Sequence, residues 1–344
     1  MRHLNRVHGV LPTSMYLTGL LCESSTAVTG GGFAYILIPR SSIDQDIWIG
    51  RLENRRVCVK VLRFFQRGTD RDKLLKDLGK EVLLWRQLKH PNILPFLGIN
   101  TDLFSPSFCM ISPWMTNGDI ISYARESSLD IHTKLFLTAE VVEGIVYLHG
   151  LDPPVVHGDI KGANILISDD RHCCLADFGL SVLDTPSINP THTATAQGSL
   201  RWLAPEFINP APSPQLSQGK LTSRDIYAFG STMFELLTGK PPFSHHILDI
   251  SVAIDVLNGV RPVLSTDDVP NNTAFKAICE MLDSCWSEKI MERPHAETLL
   301  DSLHRVQYLC FPENYTGGST LVAPFRRLSP HKLTDGYLYI GLFL

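Results

Sequence analysis

The feature that most constrains this chain is the segment from Val155 to Ile167, which reads VVHGDIKGANILI. In it a carboxylate, Asp159, is followed two residues later by Lys161 and five residues later by Asn164. The apolar runs on both sides would be buried and would hold these polar residues in a rigid loop of fixed geometry. The alternative is an Asp/Asn turn between two strands, because both residue types favour turns.

A second carboxylate, Asp177, lies 18 residues after Asp159 in the segment Leu175–Gly179 (LADFG). It follows an apolar run of strand length and precedes a phenylalanine and a glycine. The tripeptide DFG occurs often by chance, but its place after the first segment predicts that the two carboxylates serve one site.

Two features of the N-terminal part of the chain suit a phosphate ligand. Consecutive glycines, Gly30, Gly31 and Gly32, would let backbone N–H groups approach phosphate oxygens, although a plain turn explains such a run better when it stands alone. Lys60 closes a strand-like apolar run, where a lysine is usually solvated. Glu81, which lies 21 residues later on a predicted helix, would pair with Lys60, and this pairing favours a functional role for the lysine.

These groups together meet the needs of phosphoryl transfer: a glycine-rich cover, a cation, metal-binding oxygens and a carboxylate beside the incoming hydroxyl. Three later segments complete the pattern, namely Ala204–Glu206 (APE), Asp225–Gly230 (DIYAFG) and Glu292–Pro294 (ERP). With all of them in this order, the chain resembles a eukaryotic protein kinase.

Within the kinases, the chain is most similar to the tyrosine-kinase-like group of Ser/Thr kinases. Residues 90–98 (HPNILPFLG) and 198–206 (GSLRWLAPE) carry this similarity, and residues 112–115 (SPWM) and 156–164 (VHGDIKGAN) resemble the expanded fungal members of the group.

The resemblance implies an α+β fold of two lobes, a β-rich N-lobe with one main helix and a mainly helical C-lobe. We expect an extension at 1–15, a kinase domain at 16–308 that divides between residues 115 and 116, and a tail at 309–344. Apolar patterns predict the following elements: strands Val57–Leu62 and Phe108–Ile111, and helices Arg71–Leu88, Leu135–His149, Ile226–Leu237, Ile247–Leu257 and Thr273–Trp286.

The resemblance also implies roles for the polar groups. Lys60 would hold the α- and β-phosphates of ATP, and Glu81 would position Lys60. Asp159 would act as the catalytic base, and Lys161 would neutralise charge on the transferred phosphoryl group. The Mg²⁺ ligands would be Asn164 and Asp177.

Two further implications concern the nucleotide and the substrate. Ser112 matches the gatekeeper position, and the hinge that binds adenine would include Trp114 and Met115. Lys161 stands where Ser/Thr kinases usually carry lysine, and Ser199 would hydrogen-bond Asp159 and Lys161 as a hydroxyl does in that class. The predicted substrate is therefore a serine or threonine of a protein.

Two departures from the kinase pattern stand out. Gly158 occupies the position where most regulated kinases have arginine, so we expect phosphorylation of the segment 184–197 to matter less than in those kinases. In the glycine-rich loop, 11 residues, Tyr35–Gln45, separate Ala34 from its expected continuation at Asp46. They are either a tolerated long hairpin tip or extra residues from a misread gene.

The insertion keeps a rival interpretation open, in which the chain is a catalytically impaired kinase-fold scaffold. The net charge of −4 argues against nucleic acid or a membrane as partner. The eight cysteines lack metal-ligand spacing, and no signal peptide or long apolar run is present, so we expect a cytoplasmic protein whose oligomeric state stays open.

Overall fold

The computed structural model describes residues 26–30, 33–39, 47–52, 55–62, 82–100, 103–104, 107–178, 182–183, 199–209, 221–269 and 272–310. The chain divides into two compact units. The first unit comprises Met1–Leu88, Leu94–Met115 and Tyr337–Leu344, and the second comprises Lys89–Ile93 and Thr116–Gly336.

The first unit is built on an antiparallel sheet with the strand order β1-β2-β3-β4-β6-β5. Its strands are β1 (Thr26–Gly30), β2 (Phe33–Pro39), β3 (Ile47–Leu52), β4 (Arg55–Leu62), β5 (Gly98–Asn100) and β6 (Phe108–Pro113), and residues 82–87 are helical (α1). Alternate residues of β4, Val57, Val59 and Val61, are buried with Cys109 and Ile111 of β6. This period-two pattern is what a strand with one buried face requires.

The inserted segment begins inside a strand. Strand β2 contains Tyr35–Pro39, and it pairs with β1 at one side and with β3 at the other, where Ile38 lies opposite Ile49. The apolar start of the insertion therefore extends the hairpin, as the first hypothesis requires, although this pairing does not test the gene-reading hypothesis.

The second unit is mainly helical. Its helices are α2 (Ile120–Glu126), α3 (Ile131–His149), α4 (Pro205–Ile208), α5 (Thr222–Thr238), α6 (Asp249–Leu257), α7 (Asn272–Cys285) and α8 (Ala296–Cys310). Short strands accompany them: β7 (Val155–Val156), β8 (Ile165–Ile167), β9 (Cys173–Leu175) and β10 (Val182–Leu183). Every residue of α5 from Ser223 to Leu237 is buried, so α5 is the central element on which the loops of this unit rest.

The predicted strands and the predicted helices of the second unit are present, with ends shifted by a few residues. Of the predicted helix Arg71–Leu88, residues 82–87 are helical and residues 71–81 lie outside the described residues. Helix α3 starts at Ile131, because Asp130 caps it by accepting the N–H of Thr133. Lys60 does not close its strand, since β4 continues to Leu62. Within the described residues, no helix is both long and apolar enough to cross a bilayer.

Candidate active site

The loop between β7 and β8 brings Asp159 and Lys161 together. Lys161 Nζ donates to Asp159 Oδ2 at 2.8 Å and to Ser199 Oγ at 2.7 Å. Asp159 and Ser199 are buried, whereas the side chain of Lys161 is 16% exposed. One ammonium group therefore connects the loop to the segment 199–209. The predicted contact of Ser199 with Lys161 is present.

Asn164 completes this cluster from the 3-10 turn Gly162–Asn164. Its Nδ2 donates both to the carbonyl oxygen and to Oδ2 of Asp159, each at 2.8 Å. This fixes the amide so that Oδ1 is the atom directed away from Asp159. Because Asp159 Oδ2 accepts hydrogen bonds from both Lys161 and Asn164, two donors that follow it in the same loop set the orientation of this carboxylate.

Asp177 follows β9 and is connected to Asn164 through the backbone. The N–H of Ala176, the preceding residue, donates to the Asn164 carbonyl oxygen at 2.9 Å. Asp177 has a φ of 67°, a left-handed conformation that aspartate tolerates better than most residues. The structure thus places the predicted metal ligands Asn164 and Asp177 on neighbouring backbone segments.

Asp225 of helix α5 anchors the start of the loop between β7 and β8 through hydrogen bonds. Its carboxylate accepts the backbone N–H groups of His157 and Gly158, each at 2.8 Å, and lies 2.9 Å from His149 Nε2. Asp225 is fully buried. Burial alone would raise its pKa, but the hydrogen bonds from His149 and Gly158 and the nearby histidines outweigh burial, so the pKa lies below its ordinary value.

The side chain of His157 is fully buried. Burial lowers its pKa more than the carboxylates around it raise it. The ring Nε2 lies 3.1 Å from the Ala176 carbonyl oxygen, and Nδ1 accepts the N–H of Asp159 at 3.3 Å. These partners assign the proton to Nε2. The imidazole thereby bridges the loop of Asp159 to the strand that leads to Asp177.

Gly158, the residue that replaces the usual arginine, has a φ of 81°. Glycine adopts this conformation without steric cost. Its carbonyl oxygen accepts Arg224 Nη2 at 2.5 Å, and the guanidinium of Arg224 lies 4.7 Å from the centre of the Phe207 ring. Sequence reasoning did not find Arg224, because an arginine within a helix is normally exposed.

Glu235, also on α5, connects two segments of the site. Its Oε2 accepts the N–H of Gly162 and the Nε1–H of Trp202, each at 3.2 Å. Burial raises the pKa of Glu235 to about 7, against the lowering effect of these hydrogen bonds. The sequence signal for it was a lone carboxylate within the apolar run of α5, and the sequence analysis missed it.

Arg293 of the ERP segment pairs with Glu206 of the APE segment. The guanidinium donates to both carboxylate oxygens, with distances of 2.6 and 2.9 Å, and packs 5.1 Å from the Tyr227 ring centre. Two parallel hydrogen bonds make this a strong and geometrically specific contact. It anchors the segment 199–209 through Glu206.

The remaining predicted site residues belong to the first unit. Lys60 lies opposite Met110 in the pairing of β4 with β6, and Ser112 of β6 is buried opposite Cys58. Trp114 donates its N–H to Arg56 O at 3.1 Å, Met115 follows it, and Gly30 lies opposite Phe33 at the end of the β1–β2 pairing. Three predicted residues lie outside the described residues: Gly31, Gly32 and Glu81.

Comparison with known proteins agrees with this geometry. Residues 48–304 match the family model described as "Protein kinase domain", a match that begins after the glycine-rich segment. The proteins to which the chain is similar include three from Arabidopsis thaliana. The chain is 27% identical to the serine/threonine-protein kinase STY46 over 265 residues, which are 76% of this chain and 42% of that kinase. The figures for the serine/threonine-protein kinase STY17 are the same.

The third relative is the serine/threonine/tyrosine-protein kinase HT1, 30% identical over 264 residues, which are 75% of this chain and 62% of HT1. The chain thus spans less than two thirds of the curated relatives it matches. These relatives confirm the predicted similarity to the tyrosine-kinase-like group, while the similarity to its fungal members stays a prediction. Residues 48–304, which are most of this chain, match the family model, and the catalytic-loop motif is assembled around Asp159. This chain therefore belongs to the protein kinase domain family.

Proposed function

We propose that this protein transfers the γ-phosphoryl group of ATP to serine or threonine hydroxyls of protein substrates. The observation that carries the proposal is the contact of Lys161 Nζ with both Asp159 Oδ2 and Ser199 Oγ. It joins a carboxylate that suits a catalytic base to a cation that suits a transferring phosphoryl group, which is the pairing that phosphoryl transfer requires.

The hydrogen bonds of Asp159 indicate how it would act. Both side-chain donors end on Oδ2, so within the described part of the chain Oδ1 is the carboxylate oxygen left to accept the proton of an incoming hydroxyl. Because the Oδ2 partners fix the carboxylate plane, Oδ1 is held in one direction before substrate binds. Such preorganisation supports an active enzyme rather than the scaffold alternative.

Asn164 and Asp177 fit a magnesium ion. Mg²⁺ prefers oxygen ligands, and these residues supply an amide oxygen and a carboxylate. The amide of Asn164 is oriented with its nitrogen on Asp159, which leaves its oxygen for the metal. A bound Mg²⁺ would neutralise charge on the phosphates of the nucleotide.

The first unit would supply the nucleotide contacts by resemblance. We propose that Lys60 contacts the α- and β-phosphates with Glu81 as its partner, and that Gly30, Gly31 and Gly32 cover the phosphates. Adenine would lie against the hinge residues Trp114 and Met115, next to the gatekeeper Ser112. The domain limits 16–308 and a cytoplasmic location free of nucleic-acid and membrane partners stay predictions from the sequence.

The preference for serine and threonine is tested by identifying the phosphorylated residue. Purified protein is incubated with Mg²⁺, labelled ATP and casein, and the label is assigned by phosphoamino acid analysis. We expect phosphoserine and phosphothreonine in the wild type and no labelling with Asp159→Asn. Phosphotyrosine alone would refute the proposed specificity. Equal, weak labelling by both proteins, with nucleotide still bound, would favour the scaffold.

A further inference from the structure

Three side chains with metal-binding atoms meet between the end of α5 and the middle of α6. His245 and His246 are consecutive in the loop between these helices, and Asp255 lies in the second turn of α6. The ring centres of the two histidines are 4.1 Å apart, and His246 Nε2 lies 2.6 Å from Asp255 Oδ2. One ligand atom from each residue can be chosen so that all three lie within 4.8 Å of one another.

The distances suit a small transition-metal ion. Metal–nitrogen and metal–oxygen bonds of about 2.0–2.2 Å place the ligand atoms of a tetrahedral site roughly 3.3–3.5 Å apart. To admit the ion, the 2.6 Å contact between His246 and Asp255 would lengthen by less than about 1 Å. The widest separation among the three ligand atoms, at most 4.8 Å, would shorten by up to about 1.5 Å, and side-chain rotation can provide both changes. Two imidazoles and one carboxylate favour Zn²⁺ and its neighbours over Mg²⁺ or Ca²⁺, which prefer oxygen ligands.

The backbone that carries the histidines is held independently of any ion. Arg201 donates from Nη1 to the carbonyl oxygens of Pro242 and Phe243 at 3.0 and 2.7 Å, and from Nη2 to that of His246 at 2.9 Å. On the other side, α6 is anchored by the buried residues Val252, Ala253 and Val256. Ligands on fixed elements lose little conformational freedom when a metal binds.

The exposure of the three side chains allows an ion to enter. His245 is exposed, and the side chains of His246 and Asp255 are 26% and 29% exposed. Water can therefore reach a fourth coordination position. We propose that His245, His246 and Asp255 form a binding site for one Zn²⁺-like divalent ion, separate from the Mg²⁺ ligands of the catalytic site.

A simple hydrogen bond between His246 and Asp255 is the competing explanation, and His245 distinguishes the two. The hydrogen bond does not involve His245, whereas the metal site also uses this exposed neighbouring ring. The variant His245→Ala therefore removes a ligand and leaves both the hydrogen bond and the anchoring by Arg201 in place. Because His245 is exposed, this variant is expected to fold.

The test is titration calorimetry of the full chain, freed of metal by chelation and gel filtration, with ZnCl₂. We expect one site that weakens roughly 10-fold or more in His245→Ala and in Asp255→Asn, and that is unchanged in His295→Ala, which removes an exposed histidine elsewhere. Co²⁺ should give the absorption bands of a tetrahedral complex without the near-ultraviolet band of a thiolate ligand. Absence of Zn²⁺ binding in the wild type, or equal affinity in His245→Ala, would overturn the proposal.

Discussion

Asp225 Oδ1 accepts the backbone N–H of Gly158 at 2.8 Å, although the two residues are 67 positions apart. With the parallel bond from His157 to Oδ2, this contact fixes the start of the loop that carries Asp159. The carboxylate belongs to the buried helix α5, so the packing of this helix restricts the movement of the loop. The geometry of the site therefore depends on the packing of α5 as much as on the loop.

We predict that Asp225→Asn destabilises the protein and lowers activity. An amide presents only one acceptor oxygen, so its NH₂ group would face one of the donors that the carboxylate now satisfies. Loss of a charged, buried hydrogen bond costs about 2–3 kcal/mol of unfolding free energy. Urea unfolding measures this cost. Asp170→Asn, at an exposed position, is the control and should change stability little; equal effects of the two substitutions would contradict the prediction.

The hydroxyl of Ser199 should matter for catalysis more than for folding. Ser199→Ala removes one of the two acceptors of Lys161 Nζ, so the ammonium group becomes less firmly positioned beside Asp159. We expect kcat to fall by roughly 10-fold, while Ser199→Thr, which keeps the hydroxyl, retains most of the activity. Steady-state kinetics with a serine peptide measure both. An unchanged kcat in Ser199→Ala would show that Lys161 does not need this partner.

Gly162 is predicted to tolerate no side chain. A Cβ at this position would lie 2.2 Å from Ile121 Cγ1 and 2.9 Å from Glu235 Oε2, so Gly162→Ala forces the loop to move. We expect a loss of about 1–3 kcal/mol of stability, measured by thermal unfolding, and a fall in activity.

The clash itself can be tested by the double variant Gly162→Ala/Ile121→Ala, which removes the nearest atoms. It should recover part of the lost activity relative to Gly162→Ala alone. Gly150→Ala, whose Cβ would come no closer than 3.1 Å to its nearest neighbour, is the matched control. No recovery in the double variant would place the damage elsewhere than in contact with Ile121.

Glu235 should make stability depend on pH. Burial raises the pKa of Glu235 to about 7 from the ordinary value of 4.5, so between these values the folded protein holds a proton that the unfolded chain has lost. Stability from Glu235 is therefore complete below pH 4.5 and is lost as the pH rises through 7. The loss is on the order of 3 kcal/mol, at 1.36 kcal/mol per pKa unit.

Comparison with Glu235→Gln isolates this effect. Glutamine keeps an acceptor oxygen for Gly162 and Trp202 but does not titrate. Urea unfolding at pH 5 and at pH 8 should show the wild type losing stability relative to the variant at the higher pH. A difference in unfolding free energy that does not change with pH would show that Glu235 is ionised throughout.

The sequence predicted the catalytic residues of the site better than the residues that hold the catalytic loop in place. Asp159, Lys161 and Asn164 were identifiable because their spacing within one loop is local and flanked by apolar runs. Arg224 and Glu235 of α5 contact backbone groups of the loop across separations of 66 and 73 residues, and His149 acts on the loop through the Asp225 carboxylate. A lone polar residue in an apolar helix carries no sequence signal of its partner, so only the fold shows these contacts.

The same contrast holds for the elements. Long apolar-periodic helices such as α3 and α5 were predicted within a few residues, whereas the helix end at Ile131 depends on the cap by Asp130. Strands of two or three residues, such as β7 and β9, are too short for periodicity to identify. They form because the neighbouring strands or loops supply their hydrogen bonds.

The central claim is that Asp159 is the base of an active kinase, and one comparison tests it most directly. Phosphorylation of a serine peptide is followed in a single turnover by wild type, Asp159→Asn and the exposed-site control Asp170→Asn, with nucleotide affinity measured in parallel. We predict equal nucleotide affinity in all three, full activity in Asp170→Asn and a loss of about 100-fold or more in Asp159→Asn. Equal turnover by wild type and Asp159→Asn would contradict the account.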